Sequence, residues 1–147
     1  MKRKKVLFIC TGNTCRSPMA EALLRREIKR RKIKFVDVAS AGLQVQTNAV
    51  IHPSSAQLLE ENGLSMPKFK PRQLNAKILQ SAFVVITMTD AQKQNLAPDE
   101  KIYSMSQVTD GMQIPDPYGL GLQAYRQTYA LLEQAVQKIA DSIEGKE

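Results

Sequence analysis

The run Val6-Leu7-Phe8-Ile9-Cys10 constrains the fold more than any other segment. It is apolar throughout, with no alternation of polar and apolar positions. A strand of that kind is buried on both faces, as in the interior of a parallel sheet covered by helices. Residues 11–17 are all that separate it from Pro18, which suits the first turn of a helix. That helix is expected to run to about Arg31. Met19, Leu23 and Ile28 fall near one face, and Ala20, Ala22 and Leu24 favour helix. A strand, a short loop and a helix in this order place the loop at the carboxyl end of the strand, where ligands bind in open α/β sheets.

The rest of the chain continues the alternation. Phe35–Ala39 reads as a second strand, followed by Ser40-Ala41-Gly42, and Ser54–Asn62 as a helix stopped by Gly63. Leu74–Gln80 predicts a short helix, Phe83–Met88 a clear strand and Ile102–Met105 a weaker one. Asp90 is expected to cap a short helix after the third strand. Residues from Ser106 to Gly121 read as a long loop holding two prolines and three glycines. Leu122, Tyr125, Tyr129, Leu132, Val136, Ile139 and Ile143 then step by three and four, the stripe of a final helix. No repeat or linker interrupts the chain, so a single doubly wound α/β domain over residues 1–147 is expected.

Composition narrows the class. Hydrophobic residues make up 43% and charged residues 24%, values of an ordinary globular protein. Lys and Arg outnumber Asp and Glu by 21 to 14, a net charge of +7. The basic residues gather at Lys2–Lys5 and along Arg25–Lys32. Aromatics are 5% with no Trp, and no nucleic-acid module signature is present. The basic segments therefore read as a terminus and a solvated helix face, and nucleic acid is not an expected partner. No apolar run approaches the roughly 18 residues that span a bilayer. The apolar stretch after the basic start falls short of the roughly 7–15 residues of a signal peptide. The expected location is cytoplasmic, with no membrane partner.

The chain has two cysteines, Cys10 and Cys15, both in the same loop. That is no disulfide scaffold. There is one histidine, His52, distant in sequence, and no Cys-x-x-Cys, so no metal or cofactor is expected.

The loop Cys10-Thr11-Gly12-Asn13-Thr14-Cys15-Arg16-Ser17 suits a tetrahedral oxyanion such as phosphate. A free thiol is a poor nucleophile at neutral pH, because it ionises near pH ~8.5. Three features favour the thiolate of Cys10: the positive end of the following helix, loop N–H groups turned inward, and the charge of Arg16. Gly12 and Asn13 tolerate the positive φ such a loop needs. Arg16 can grip two phosphate oxygens at once. Ser17 either caps the helix or donates to the Cys10 sulfur. Cys15 is either a small packing residue or the partner of Cys10 in a reversible disulfide. A carboxylate is needed to complete acid–base chemistry. Asp90, Asp99, Asp110 and Asp116 all qualify, and the stiff Pro115-Asp116-Pro117 segment favours Asp116.

The stretch from Val6 through Cys10-Thr11-Gly12-Asn13-Thr14-Cys15-Arg16-Ser17-Pro18-Met19-Ala20-Glu21 resembles the signature of the low-molecular-weight protein tyrosine phosphatases. Ser40-Ala41-Gly42, Arg72-Gln73-Leu74 and Asp116-Pro117-Tyr118-Gly119 extend the resemblance along the chain. It implies a flavodoxin-like fold with a four-stranded parallel sheet flanked by helices, and a metal-free reaction on a phosphorylated protein. Cys10 would form a phosphocysteine, Arg16 and the loop amides would hold the phosphoryl oxygens, and Asp116 would serve as general acid and then base, releasing inorganic phosphate. Tyr118 would line the substrate cleft.

Three departures stand out. Phe69 occupies the position where many members have a His that supports the loop Asn, so Asn13 is expected to find another support, with Ser40 a candidate. Tyr118 is followed by Gly119 where eukaryotic members often carry a second aromatic, which opens the cleft. Thr14 stands where eukaryotic members usually have an aliphatic residue. Bacterial protein arginine phosphatases of the family have Thr there, which tilts the expectation towards phosphoarginine over phosphotyrosine. Rival readings are an arsenate reductase-like oxidoreductase, which needs cysteines beyond Cys15, a phosphocarrier subunit, which would lack Arg16 and Asp116, and a non-catalytic phosphoprotein-binding module.

Overall fold

A computed structural model of the protein describes residues 2–145. Met1, Lys146 and Glu147 lie outside that range, and with them the extreme ends of the expected domain. Four strands form one parallel sheet: β1 (Lys4–Cys10), β2 (Val36–Gly42), β3 (Val84–Thr87) and β4 (Ile102–Ser104). Their order is β2-β1-β3-β4, with β1 paired to both β2 and β3. The helices are α1 (Arg16–Arg30), α2 (Pro53–Glu61), α3 (Ala76–Ser81), α4 (Asp90–Gln94), α5 (Met105–Val108) and α6 (Leu122–Ile143).

The apolar run of β1 behaves as its pattern requires. Val6, Phe8 and Cys10 face one core, built with α1, α2 and α6. Leu7 and Ile9 face the other, with Ala41, Val85 and Ile102 and the partly buried Ile78 and Leu79 of α3. Tyr125, Tyr129, Leu132, Val136 and Ile139 are buried along α6, the stripe read from the sequence. The crossover direction reverses between β1 and β3, so the carboxyl end of β1 is the topological switch point of the sheet. Cys10 is the last residue of that strand.

Several boundaries differ from the expected ones. The second strand starts at Val36 and runs through Ser40 and Ala41 to Gly42, because β1 pairs in register as far as Cys10 with Gly42. Phe35 is a turn residue with φ of 64°, and its carbonyl accepts from the Lys4 N–H. The start of the expected loop at Ser106 belongs to α5, where the Gln107 side chain accepts from the Ser104 N–H. Asp90 does not cap α4; Thr89 does, in a reciprocal capping box with Gln92. The helix expected from Leu74 begins two residues later, behind an Asn75 cap.

Candidate active site

The loop between β1 and α1 is shaped by its carbonyls. The Cys10 and Thr11 carbonyls accept from the N–H groups of Leu43 and Gln44 at 3.0 and 2.8 Å. The Thr14 carbonyl accepts from the His52 N–H at 2.9 Å, and that of Cys15 from the Ser55 hydroxyl at 3.3 Å. Carbonyls bound outward leave the amide edges of the loop for the concave side, the arrangement of an anion nest. The positive φ falls on Asn13, at 56°, rather than on Gly12.

Asn13 is fully buried and organises the thiol. Its Oδ1 accepts from the Arg72 N–H at 2.8 Å. Its Nδ2 donates to Ser17 Oγ at 2.7 Å and to Ser40 Oγ at 3.0 Å. Ser40 in turn donates to Glu21 Oε1 at 2.6 Å, and Glu21 pairs with Arg25. Burial pushes the Glu21 carboxyl up against the opposing pull of Ser40 and Arg25. Ser17 Oγ lies 2.9 Å from Cys10 Sγ. Because Ser17 accepts from Asn13, its own proton is directed at the sulfur. Of the two uses expected for Ser17, the structure thus has the second, and α1 has no side-chain cap. Ser40 supports Asn13 as expected, and Phe69 sits half-buried in a groove with Glu21, Arg25 and Met66.

Arg16 is buried beside the loop. Its Nη1 donates to the Ile114 carbonyl at 2.9 Å, while its Nε is buried without a partner. The Ile114 N–H donates to the Met88 carbonyl, which fastens this segment to the end of β3. Asp116 Oδ2 stands 3.8 Å from Arg16 Nη2 with its side chain 54% exposed, so it faces both the guanidinium and solvent. Its Oδ1 accepts from the Tyr118 N–H at 3.1 Å. Asp90 is held instead by Ser106 and Gln113, away from the thiol. Asp110 pairs with Lys138, and Asp99 bonds the Lys101 N–H.

These groups converge on a cleft of about 340 Å³ lined by Cys10, Thr11, Gly12, Thr14, Cys15, Arg16, Gln44, Gln46, Asp116 and Tyr118. A larger groove of about 570 Å³ runs past Asp90 and Lys93, but it lacks both the thiol and the guanidinium. Cys15 is buried; its Sγ lies 3.2 Å from Tyr125 Oη, and burial pushes its thiol up. Both cysteines are free. Among the described residues no cluster of His, Cys, Asp and Glu suits a metal ion.

Four further residues take part through tertiary contacts. Gln44 and Gln46 line the cleft from the connection after β2. Gln92 Nε2 donates to Thr11 Oγ1 at 3.2 Å. His52 stacks on Tyr125 and meets Tyr118 edge-on. The only local sign was His52 standing before Pro53, a helix-start pattern, and it says nothing of ring contacts.

A buried thiol with an oriented donor, a guanidinium with a free N–H and a carboxylate across a small cleft, all at the switch point of a doubly wound sheet, make this an α/β protein of the cysteine-centred, oxyanion-receiving class. Residues 5–147 match the model of the family described as low molecular weight phosphotyrosine protein phosphatase. A protein-arginine-phosphatase of Bacillus subtilis (strain 168) is 31% identical, the match covering 94% of this chain and 95% of the relative. The low molecular weight protein-tyrosine-phosphatase Wzb of Salmonella typhi is 30% identical over 97% of this chain and 96% of its own. A solved structure of a YwlE arginine phosphatase, a cysteine-to-serine mutant with a phosphorylated active-site serine, superposes with a TM-score of 0.88 at 31% identity, covering 95% of each chain. The chain belongs to the low molecular weight protein tyrosine phosphatase family and is a protein phosphatase of that kind.

Proposed function

We propose that the chain, acting as one catalytic domain, hydrolyses phosphoarginine or phosphotyrosine on protein substrates through a phosphocysteine, with Thr14 favouring phosphoarginine. The observation that carries this is the thiol of Cys10 held 2.9 Å from Ser17 Oγ, with Arg16 and Asp116 across the same cleft. In the first step the Cys10 sulfur attacks phosphorus, and the bond from phosphorus to the leaving oxygen or guanidino nitrogen breaks. Asp116 gives its proton to the leaving group. Arg16, through its free Nε, and the loop amides hold the equatorial oxygens as charge redistributes. In the second step Asp116 takes a proton from water, the water oxygen attacks phosphorus, and inorganic phosphate leaves with the thiolate restored. The phosphorylated active-site serine of the arginine phosphatase mutant supports a covalent intermediate at the corresponding place.

Thr14 supports the phosphoarginine preference because its hydroxyl is under-used. Its polar contact is Cys15 Sγ at 3.7 Å, too long to be strong. A hydroxyl with spare capacity suits a guanidinium or an attacking water better than an aromatic ring. The Bacillus arginine phosphatase supports the same reading, and Wzb supports phosphotyrosine. An arsenate reductase lacks its relay here, since the chain has two cysteines.

The deciding measurement is kcat/KM on matched phosphotyrosine and phosphoarginine peptides, for the wild type, Thr14→Ile and Cys10→Ser. Cys10→Ser abolishes turnover of both. Thr14→Ile moves the ratio towards phosphotyrosine. Turnover surviving in Cys10→Ser rejects the mechanism, and an unmoved ratio in Thr14→Ile rejects the role of Thr14.

A further inference from the structure

His52 stands behind the cleft, in contact with three segments around it. Its backbone N–H holds the Thr14 carbonyl of the phosphate loop at 2.9 Å. Its Nδ1 accepts from the Ser54 N–H at 3.1 Å and so caps α2. Its ring lies flat on Tyr125, centroids 4.7 Å apart at 18°, and meets the Tyr118 ring at 5.8 Å and 80°. These spacings are those of favourable aromatic pairs.

The three rings differ in how firmly they are held. Tyr125 is 1% exposed, and its hydroxyl is bonded to the Cys15 sulfur. It is a fixed base for the imidazole. Tyr118 is 68% exposed, so little of the protein restrains it. Among the described residues, His52 is the ring in contact with the Tyr118 ring. The imidazole therefore connects a buried ring to an exposed wall of the cleft. Tyr118 also donates its backbone N–H to Asp116, so the wall and the carboxylate share one turn.

We infer that His52 is a positioning residue that fixes Tyr118 as the wall of the leaving-group slot, and so selects for substrates with a flat group beyond the phosphate. This rests on the phosphatase reading of the cleft and adds a determinant of affinity for that part of the substrate. The ring, not the cap, carries the effect. A planar group held against Tyr118 is stabilised by the wall; a bare phosphate ion lies below it, in the loop, and is indifferent to the wall.

The cap and the ring separate by substitution. His52→Asn keeps a capping acceptor and removes the ring. His52→Phe keeps a ring and removes the acceptor. The probes are benzylphosphonate and inorganic phosphate, with dissociation constants from calorimetry, alongside KM and kcat on an aryl phosphate. In His52→Asn, benzylphosphonate binding and KM weaken about two- to tenfold, the scale of one aromatic pair, while phosphate affinity holds and kcat changes less than KM. In His52→Phe both recover towards wild type despite a lower melting temperature. Adding His52→Asn to Tyr118→Ala has no further effect on either.

Equal weakening of phosphate and phosphonate in His52→Asn overturns the inference, as does failure of His52→Phe to recover or additivity with Tyr118→Ala. Because binding is read without turnover, the two readings fail separately. A wild type that binds both probes but turns over neither peptide rejects the functional reading and leaves the wall to be judged on the dissociation constants. A wild type that binds neither probe rejects both.

Discussion

Ser17 shows how one hydroxyl acquires a direction. It has a single proton, and Asn13 already donates to its oxygen, so that proton goes to Cys10. The direction is set by Arg72 and Ser40, residues far from the loop in sequence that hold the Asn13 amide, with Glu21 of α1 in turn accepting from Ser40. Asp116 has the opposite character: more than half exposed, it can meet a leaving group and then a water. Asp116→Ala should slow substrates with poor leaving groups by roughly 10²–10⁴-fold and activated aryl phosphates far less. A leaving-group series for both proteins measures this, and equal losses across the series reject the acid role. Cys10, Arg16 and Ser17 were legible because they sit in one contiguous loop whose spacing already implies a cup. Asp116 was legible as a candidate because prolines flank it. Gln44 and Gln46 reach the cleft, and His52 and Gln92 the loop, only through tertiary contacts, and no local pattern encodes those.

At the scale of elements, β2 carries more of the site than its sequence suggests. Ser40-Ala41-Gly42 read as a segment after the strand, because small residues weaken a strand signal. They are the end of the strand itself, and at Gly42 the loop after β1 passes too close for a side chain. A Cβ on Gly42 would lie 2.7 Å from Val45 Cγ2, 2.9 Å from the Thr11 carbonyl oxygen and 3.0 Å from the Asn13 nitrogen. Val45 can rotate, but the other two atoms are loop backbone. Gly42→Ala should therefore displace the loop and reduce kcat/KM on the order of 10- to 100-fold in a protein that still folds. Steady-state kinetics beside a thermal melt test this; wild-type kcat/KM would show that the loop is not set by that contact. The long regular elements were readable locally: β1 from its unbroken apolar run, α1 from Pro18 and its apolar face, and α6 from its stripe. The short ones, α4 and α5, depend on caps at Thr89 and Ser104 that compete with neighbouring polar residues for the same role.

For the whole molecule, the seam between α1 and α6 is tied by Glu27. Its carboxylate accepts from Arg31 Nε and Gln137 Nε2, each at 2.8 Å, and Arg31 also reaches Asp141 and Glu144. Burial alone would push the Glu27 carboxyl up, but the bonds from Arg31 and Gln137 and the charges of Arg31 and Arg30 outweigh it, and it is lowered. The folded value thus lies below the unfolded one. The stabilisation is fully present above the unfolded value of about 4.3 and is lost as pH falls through the folded value. Glu27→Gln should be less stable than wild type at pH 7, with the gap closing towards pH ~3. Urea midpoints at the two pH values check this, and a constant gap refutes it. The parallel sheet was legible as a class, since continuous apolar strands alternate with helices. Its order was not derivable from pattern, because β1 is equally apolar towards either neighbour.

The bond from Arg16 to the Ile114 carbonyl spans 98 positions of the chain. Its consequence lies in biosynthesis. A chain emerging from the ribosome exposes Cys10, the loop and Arg16 early, but the carbonyl that steadies the guanidinium arrives only with Ile114, and Asp116 follows two residues later. On the proposed mechanism a nascent chain that stops before Asp116 lacks the group that protonates the leaving group. On that reading activity waits for a residue far behind the nucleophile in the chain, and chains cut short before it are catalytically silent.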